Sequence, residues 1–189
     1  MKMKKIYTVL TMAVMALVLS SCNEDQQIAN TLEGTWQGNM YVSSNWNGRT
    51  YNATYTEITF LRDPYRYSSG SGYWVDYYSN APWDYVANHI EWRVDFGVIK
   101  VYFVEEDTSL EIRNYRLNLN RFYGTIYEAD NTVDFEMVNI SRPVNYYDNY
   151  GWGYSYWNGY YSRGTRSADN DSVSTEKPRR FINPELKGE

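Results

Sequence analysis

Between Val86 and Phe103 the chain alternates in side-chain character with a period of two, a rhythm that a helix cannot use. Ile90, Trp92, Val94 and Phe96 fall on one side and His89, Glu91 and Arg93 on the other; after a turn at Gly97, the residues Ile99, Val101 and Phe103 again share a side. Successive Cβ atoms of a strand point to opposite faces, so the pattern predicts two half-buried strands joined by a tight reversal. The pattern continues. Glu105-Glu106-Asp107 makes a charged turn, Leu110 and Ile112 begin another strand, and residues 121–128 and 132–140 follow around Asp130-Asn131. Their inner faces are expected to be Phe122, Gly124 and Ile126, then Val133, Phe135 and Met137.

The upstream half has the same character. Trp36, Gly38, Met40 and Val42 alternate with Thr35, Gln37, Asn39 and Tyr41, which predicts one half-buried strand. Asn47-Gly48 is a strong hairpin signal because both residues accept positive φ. A strand from about Arg49 to Leu61 ends at an Asp63-Pro64 turn, and residues 65–79 make a tyrosine-rich strand with a bulge expected at Ser68-Ser69-Gly70-Ser71-Gly72. This gives eight strands and no helical pattern as long as ten residues. Parallel neighbours would need long crossovers, so the short connections predict an all-β antiparallel meander, closed most naturally as an eight-stranded barrel, with a two-sheet sandwich as the alternative. The strands are expected to end near Ile140, so that the chain beyond Arg142 adds nothing to the barrel.

The chain's single cysteine is Cys22, which can have no disulfide partner within the chain. Met1 to Lys5 carries three lysines, Ile6 to Leu19 is a mostly apolar run of fourteen residues, and the small Ser20-Ser21 follow, as in a secretory signal. That run would span only about 21 Å as a helix, short of the roughly 30 Å hydrocarbon core. Leu19-Ser20-Ser21-Cys22 resembles the lipobox of bacterial lipoproteins. The resemblance implies cleavage before Cys22 and its acylation. Since one acyl chain holds only marginally, the three that the modification supplies would be a stable anchor. Residues 1–21 are then signal and 22–30 a lipidated tether. Asn23 in place of an inner-membrane aspartate, with Glu24-Asp25 after it, resembles the export signal of some surface lipoproteins and implies an outer-membrane location facing the cell exterior.

Leu32-Glu33-Gly34-Thr35-Trp36-Gln37-Gly38 resembles the glycine-x-tryptophan opening of lipocalin-like, calycin-type domains, a likeness that covers residues 31–142. It implies that Trp36 closes the barrel floor, that Arg142 or else Arg121 packs over it, and that a small apolar ligand occupies the cup. The expected inward set of Trp36, Trp92, Phe96, Phe103, Phe122 and Phe135 is large, and an eight-stranded interior is just wide enough either to be filled or to hold one small ligand.

Composition and motifs narrow the chemistry. The formal charge is −5, and removing the three signal lysines leaves 15 basic against 23 acidic residues, so the basic footprint of a nucleic-acid binder is missing. His89, beside Glu91 and Arg93, is expected to be solvent-exposed. The sequence has no zinc spacing, phosphate loop or nucleophile elbow, and Asp169-Asn170-Asp171 lacks the form of a calcium loop. Asp63 with Asp76, or Glu105 with Asp107, would need a measured separation across a cleft to suggest glycoside chemistry. No catalytic residue, metal or cofactor is expected.

Residues 143–164 pack aromatics among asparagine, glycine and serine, and residues 165–189 read as a polar, disordered tail. Exposed Tyr and Trp can stack on sugars or anchor a partner, which makes Tyr73, Trp74, Tyr77 and Trp83, and Tyr154, Tyr156, Trp157 and Tyr160, the candidate binding residues. Asp171-Ser172-Val173 resembles an O-glycosylation sequon, with Ser172 as acceptor. The expectation is an outer-membrane lipoprotein with a non-catalytic barrel that binds a small apolar molecule or glycan. The alternative is an accessory protein of a surface complex that uses exposed aromatics.

Overall fold

The computed structural model describes residues 24–141 and 178–188. A short helix over 24–32 precedes ten strands: β1 (Gly34–Asn39), β2 (Val42–Trp46), β3 (Arg49–Arg62), β4 (Ser69–Tyr78), β5 (Tyr85–Asp95), β6 (Val98–Phe103), β7 (Thr108–Leu117), β8 (Arg121–Glu128), β9 (Asn131–Ser141) and β10 (Arg179–Ile182). From β3 to β9 each strand pairs antiparallel with the next, and β1 pairs with both β9 and β3, closing eight strands into a barrel. That closure excludes the sandwich.

The single strand expected over residues 35–42 is broken in two. Tyr41 adopts a φ of 53°, and its N–H is taken by the Asn39 side chain at 2.7 Å, which turns the chain out of the ladder. Both pieces stay on β3, β1 along Thr56–Phe60 and β2 along Arg49–Asn52. Only β1 reaches β9; the far edge of β2 is taken by β10.

Two of the three two-residue hairpins among the described residues, unlike Ala129-Asp130, have the positive φ pair that matches strand twist: 49° and 68° at Asn47-Gly48, and 50° and 74° at Phe96-Gly97. The second pair corrects the alternation, because the reversal begins at Phe96 itself. Its ring sits at the turn tip, 79% exposed, instead of in the core. The bulge expected at residues 68–72 is also absent. The β3–β4 register runs unbroken from Arg62↔Gly70 to Thr56↔Asp76, and its irregularity falls at Ala53/Tyr55. Gly70 and Gly72 are there for close approach, since a Cβ on either would lie 1.9 Å from a β3 carbonyl oxygen.

A meander puts alternate connections at opposite ends. Loop 63–68, turn 96–97 and turn 118–120 share one end, the floor, with the helix; turns 47–48, 104–107 and 129–130 and loop 79–84 share the other, the mouth. Along the axis Trp36, Phe60, Trp74, Phe103 and Phe122 are almost completely buried. Each such side chain contributes roughly 1.5–3 kcal/mol.

The two chain ends depart most from expectation. Residues 24–30, expected as tether, together with 31 and 32 form a helix that buries Ala29 and Leu32 beneath the barrel. Residues 178–188, expected as disordered tail, contain β10, which pairs with β2 from Arg179↔Asn45 to Ile182↔Val42, and a 3-10 turn at Pro184–Gly188. The barrel's hydrogen bonding therefore does not end near Ile140.

Candidate functional site

The mouth holds the densest chemistry. Thr56, Asp76, Tyr78 and Asn88 continue the inward-facing rows of β3, β4 and β5 past the aromatic core, where an apolar residue would ordinarily stand. Arg180, delivered by β10, lies among them with its side chain 2% exposed. Its Nε donates to Asp76 Oδ2 at 2.9 Å and its Nη1 to Glu128 Oε1 at 2.9 Å. The guanidinium also lies over two rings, 4.4 Å from the centroid of Phe103 and 4.9 Å from that of Trp74. Asp76, completely buried, accepts two further bonds, from Thr56 Oγ1 at 2.6 Å and Trp74 Nε1 at 2.9 Å. Glu128 Oε2 accepts the Ile182 backbone N–H at 2.6 Å, so one carboxylate grips both the side chain and the backbone of β10.

A charge this deep is tolerable only when paired and hydrogen-bonded. Burial favours the neutral form of Arg180, but Asp76, Glu128 and Glu106 outweigh it and hold the guanidinium more firmly protonated than usual. Glu106 has the opposite balance. Burial raises its pKa above the usual carboxylate range, against the pull of Arg180 and a 2.8 Å hydrogen bond from Asn88 Nδ2. Beside it Tyr78, whose hydroxyl meets Ser44 Oγ at 2.8 Å, is pushed up by burial and by Asp76. Arg180 Nη2 and Asn88 Oδ1 are buried with no hydrogen-bond partner among the described residues. The arrangement can hold a cation rigidly. The one hydroxyl bonded to a carboxylate there, Thr56 on Asp76, is fully buried together with its partner.

The sequence-predicted binding residues scatter. Trp74 is core and lies under Arg180. Trp83 is 1% exposed, with edge contacts to Trp46, Tyr51 and Tyr78. Neither indole is on the surface: Trp74 belongs to the inward row of β4, and Trp83, in the loop 79–84, is packed among aromatics at the mouth. Tyr73 and Tyr77 lie on the outer wall, Tyr73 buried and edge-on to His89, Tyr77 half-buried and stacked on Tyr55 with centroids 4.5 Å apart. Cys22, Arg142, Tyr154, Tyr156, Trp157, Tyr160 and Ser172 lie outside the described residues.

Trp36 is fully buried at the floor, donates from Nε1 to Leu32 O at 2.8 Å and packs edge-on against Phe122. Arg121 does not cover it; that side chain is exposed and pairs with Glu136 at 3.1 Å. His89 is half-buried, not free in solvent: its Nδ1 pairs with Glu105, which also accepts the His89 backbone N–H at 2.7 Å. Asp63 caps the Tyr65 N–H in a floor loop, whereas Asp76 is at the mouth, so these carboxylates share no cleft. Glu105 is committed to His89, and Asp107 accepts the Tyr102 hydroxyl at 2.9 Å.

A shallow cleft of about 790 Å³ runs along the outer wall from β3 to β7. It is lined by Arg62, Arg66, Arg93 and Lys100, with Glu91 and Tyr102 between them. Such a mixed, polar lining suits a polar or charged partner better than an apolar molecule.

Sequence reasoning missed Arg180, and nothing local could have revealed it. Its partner Asp76 is 104 residues away, and "KPRRFINPE" carries neither alternation nor a motif. No helix among the described residues is long and apolar enough to cross a membrane. No model of a known protein family matches the chain, and no curated protein matches it.

Proposed function

We propose that the chain is a lipid-anchored, non-catalytic interaction protein of the outer membrane, in which the barrel is a packed scaffold and recognition takes place on its outside. One observation carries this reading: aromatic side chains fill the barrel's axis, and its mouth is sealed by Arg180 bonded to Asp76 and Glu128. A small apolar ligand in the cup would have to displace both. The outer wall is open to a partner, with the polar cleft around Arg93 and Tyr102 toward the floor and the Tyr55–Tyr77 stack toward the mouth. A glycan or a protein of a surface complex fits that lining. Anchoring rests on Cys22 and the apolar run before it.

Two measurements test the reading. Cys22→Ser should move the protein from the membrane fraction to the soluble one with its thermal unfolding unchanged, since acyl chains alone hold it. Retention in the membrane would remove the lipoprotein assignment. The soluble variant, titrated with an apolar fluorescent probe, should show no saturable uptake. Saturable one-to-one uptake, abolished by adding a bulky residue inside the barrel, would return the function to the cup.

A further inference from the structure

The exposed large apolar side chains are not spread evenly. Tyr65 (88% exposed), Tyr67 (60%), Phe96 (79%) and Leu119 (78%) stand on the three connections of the floor end; at the mouth end only Val104, at 47%, is comparable among the described residues. Their placement does nothing for the folded monomer, which gains from apolar groups only by burying them. Phe96 in particular is bulky, held at a φ of 50° that non-glycine residues rarely adopt, and faces solvent. Backbone strain of this kind persists where the surrounding structure enforces it and is a pointer to function.

The enforcing group lies next to the anchor. Asp25 accepts the Phe96 N–H at 3.1 Å and the Gly97 N–H at 2.8 Å, clamping the turn to the start of the N-terminal helix. Cys22 is only three residues earlier, so even a fully extended chain places it within about 11 Å of Asp25. Acyl chains on Cys22 would therefore hold the floor end, and no other part of the barrel, against the bilayer. Asp25, readable as part of an export signal, thus has a structural task as well.

We infer that the floor end is a bilayer-contact surface in which Phe96 and Leu119 enter the acyl boundary and Tyr65 and Tyr67 sit at headgroup level. The inference rests on the lipidation of Cys22 and adds an orientation to it. Phenyl and aliphatic groups favour the acyl boundary, and tyrosine, with an apolar body and a polar tip, favours the interface. The barrel then stands on its floor, with the Arg180-sealed mouth farthest from the lipid.

The test uses the full-length acylated protein in phosphatidylcholine vesicles, with an environment-sensitive fluorophore on Phe96→Cys, Leu119→Cys or Val104→Cys; acylation consumes the native thiol. Labels at positions 96 and 119 should shift to the blue, lose iodide quenching and gain quenching by spin-labelled lipid, while the label at 104 should stay in water. Since labelling removes the native side chain, a Tyr65→Cys label provides a second reading, and its blue shift should shrink when Phe96 and Leu119 are both changed to Ser. Acylated protein that floats with the vesicles while all these labels remain water-exposed would overturn the bilayer contact alone. Protein that neither gains acyl mass nor floats would overturn the lipidation reading, and the contact surface with it.

Discussion

The two ends of the barrel are closed by opposite chemistry. At the floor, a helix adjacent in sequence buries Ala29 and Leu32 and accepts the Trp36 indole N–H, an apolar closure made within a few residues of β1. At the mouth, a strand from the far end of the chain brings a cation to two carboxylates and two aromatic rings. An apolar closure tolerates imperfect fit and gains in proportion to area. A buried ionic closure must satisfy each group or lose heavily, which makes it the more specific of the two and the more fragile.

The largest test of that contrast is Arg180→Leu. The substitution leaves Asp76 charged and fully buried with its counter-ion gone, and should cost about 5 kcal/mol by urea unfolding, the upper range for breaking a buried pair. Arg180→Lys should recover only part of the loss, because an ammonium cannot span Asp76 and Glu128 as the guanidinium fork does. Full recovery by lysine would mean that net charge, not geometry, seals the mouth.

Trp36→Ala comes next, at about 4 kcal/mol, since a fully buried indole is removed from beside Phe122 and leaves a cavity. Its cost should be independent of pH between about 5 and 8, where no apolar contact titrates. A cost that varied with pH would show that the floor depends on charge after all, and would erase the distinction between the ends.

The same contrast explains what could be read in advance. Alternation is local, so the strands from Arg49 to Ile140, the Asn47-Gly48 hairpin and buried Trp36 were all legible. Phe96 was misplaced because alternation does not say where a turn begins, and the bulge was misplaced because Gly70 and Gly72 serve close approach, which sequence does not distinguish from bending. The helix over 24–32 is too short for its period to stand out, and it is held by burial against the barrel. Trp74 and Trp83 look like surface anchors in an isolated tyrosine-rich stretch; only the closed barrel turns them inward. Arg180 lay beyond reach because long-range ion pairs leave no periodic trace.

Glu106 should give the smallest effect, and one whose sign is informative. Burial raises its pKa above the ordinary 4.5, so the folded state binds its proton more readily than the unfolded state does. The stability linked to that proton is fully present below the ordinary glutamate range and is lost as pH rises toward and through the raised value, so the buried carboxyl is a net cost above that range. Glu106→Gln removes that cost, keeps a carbonyl oxygen for Asn88 Nδ2, and brings an amide donor into a site where Asn88 Oδ1 has no partner. Urea midpoints should therefore be higher for the variant at pH about 7, with the gain shrinking as pH falls toward the ordinary glutamate value. A variant less stable than the parent at neutral pH would mean that Glu106 serves Arg180 as a third counter-ion and that attraction outweighs desolvation. The mouth would then be held by the full ring of Asp76, Glu106 and Glu128 instead of by two bonded carboxylates and a strained neighbour.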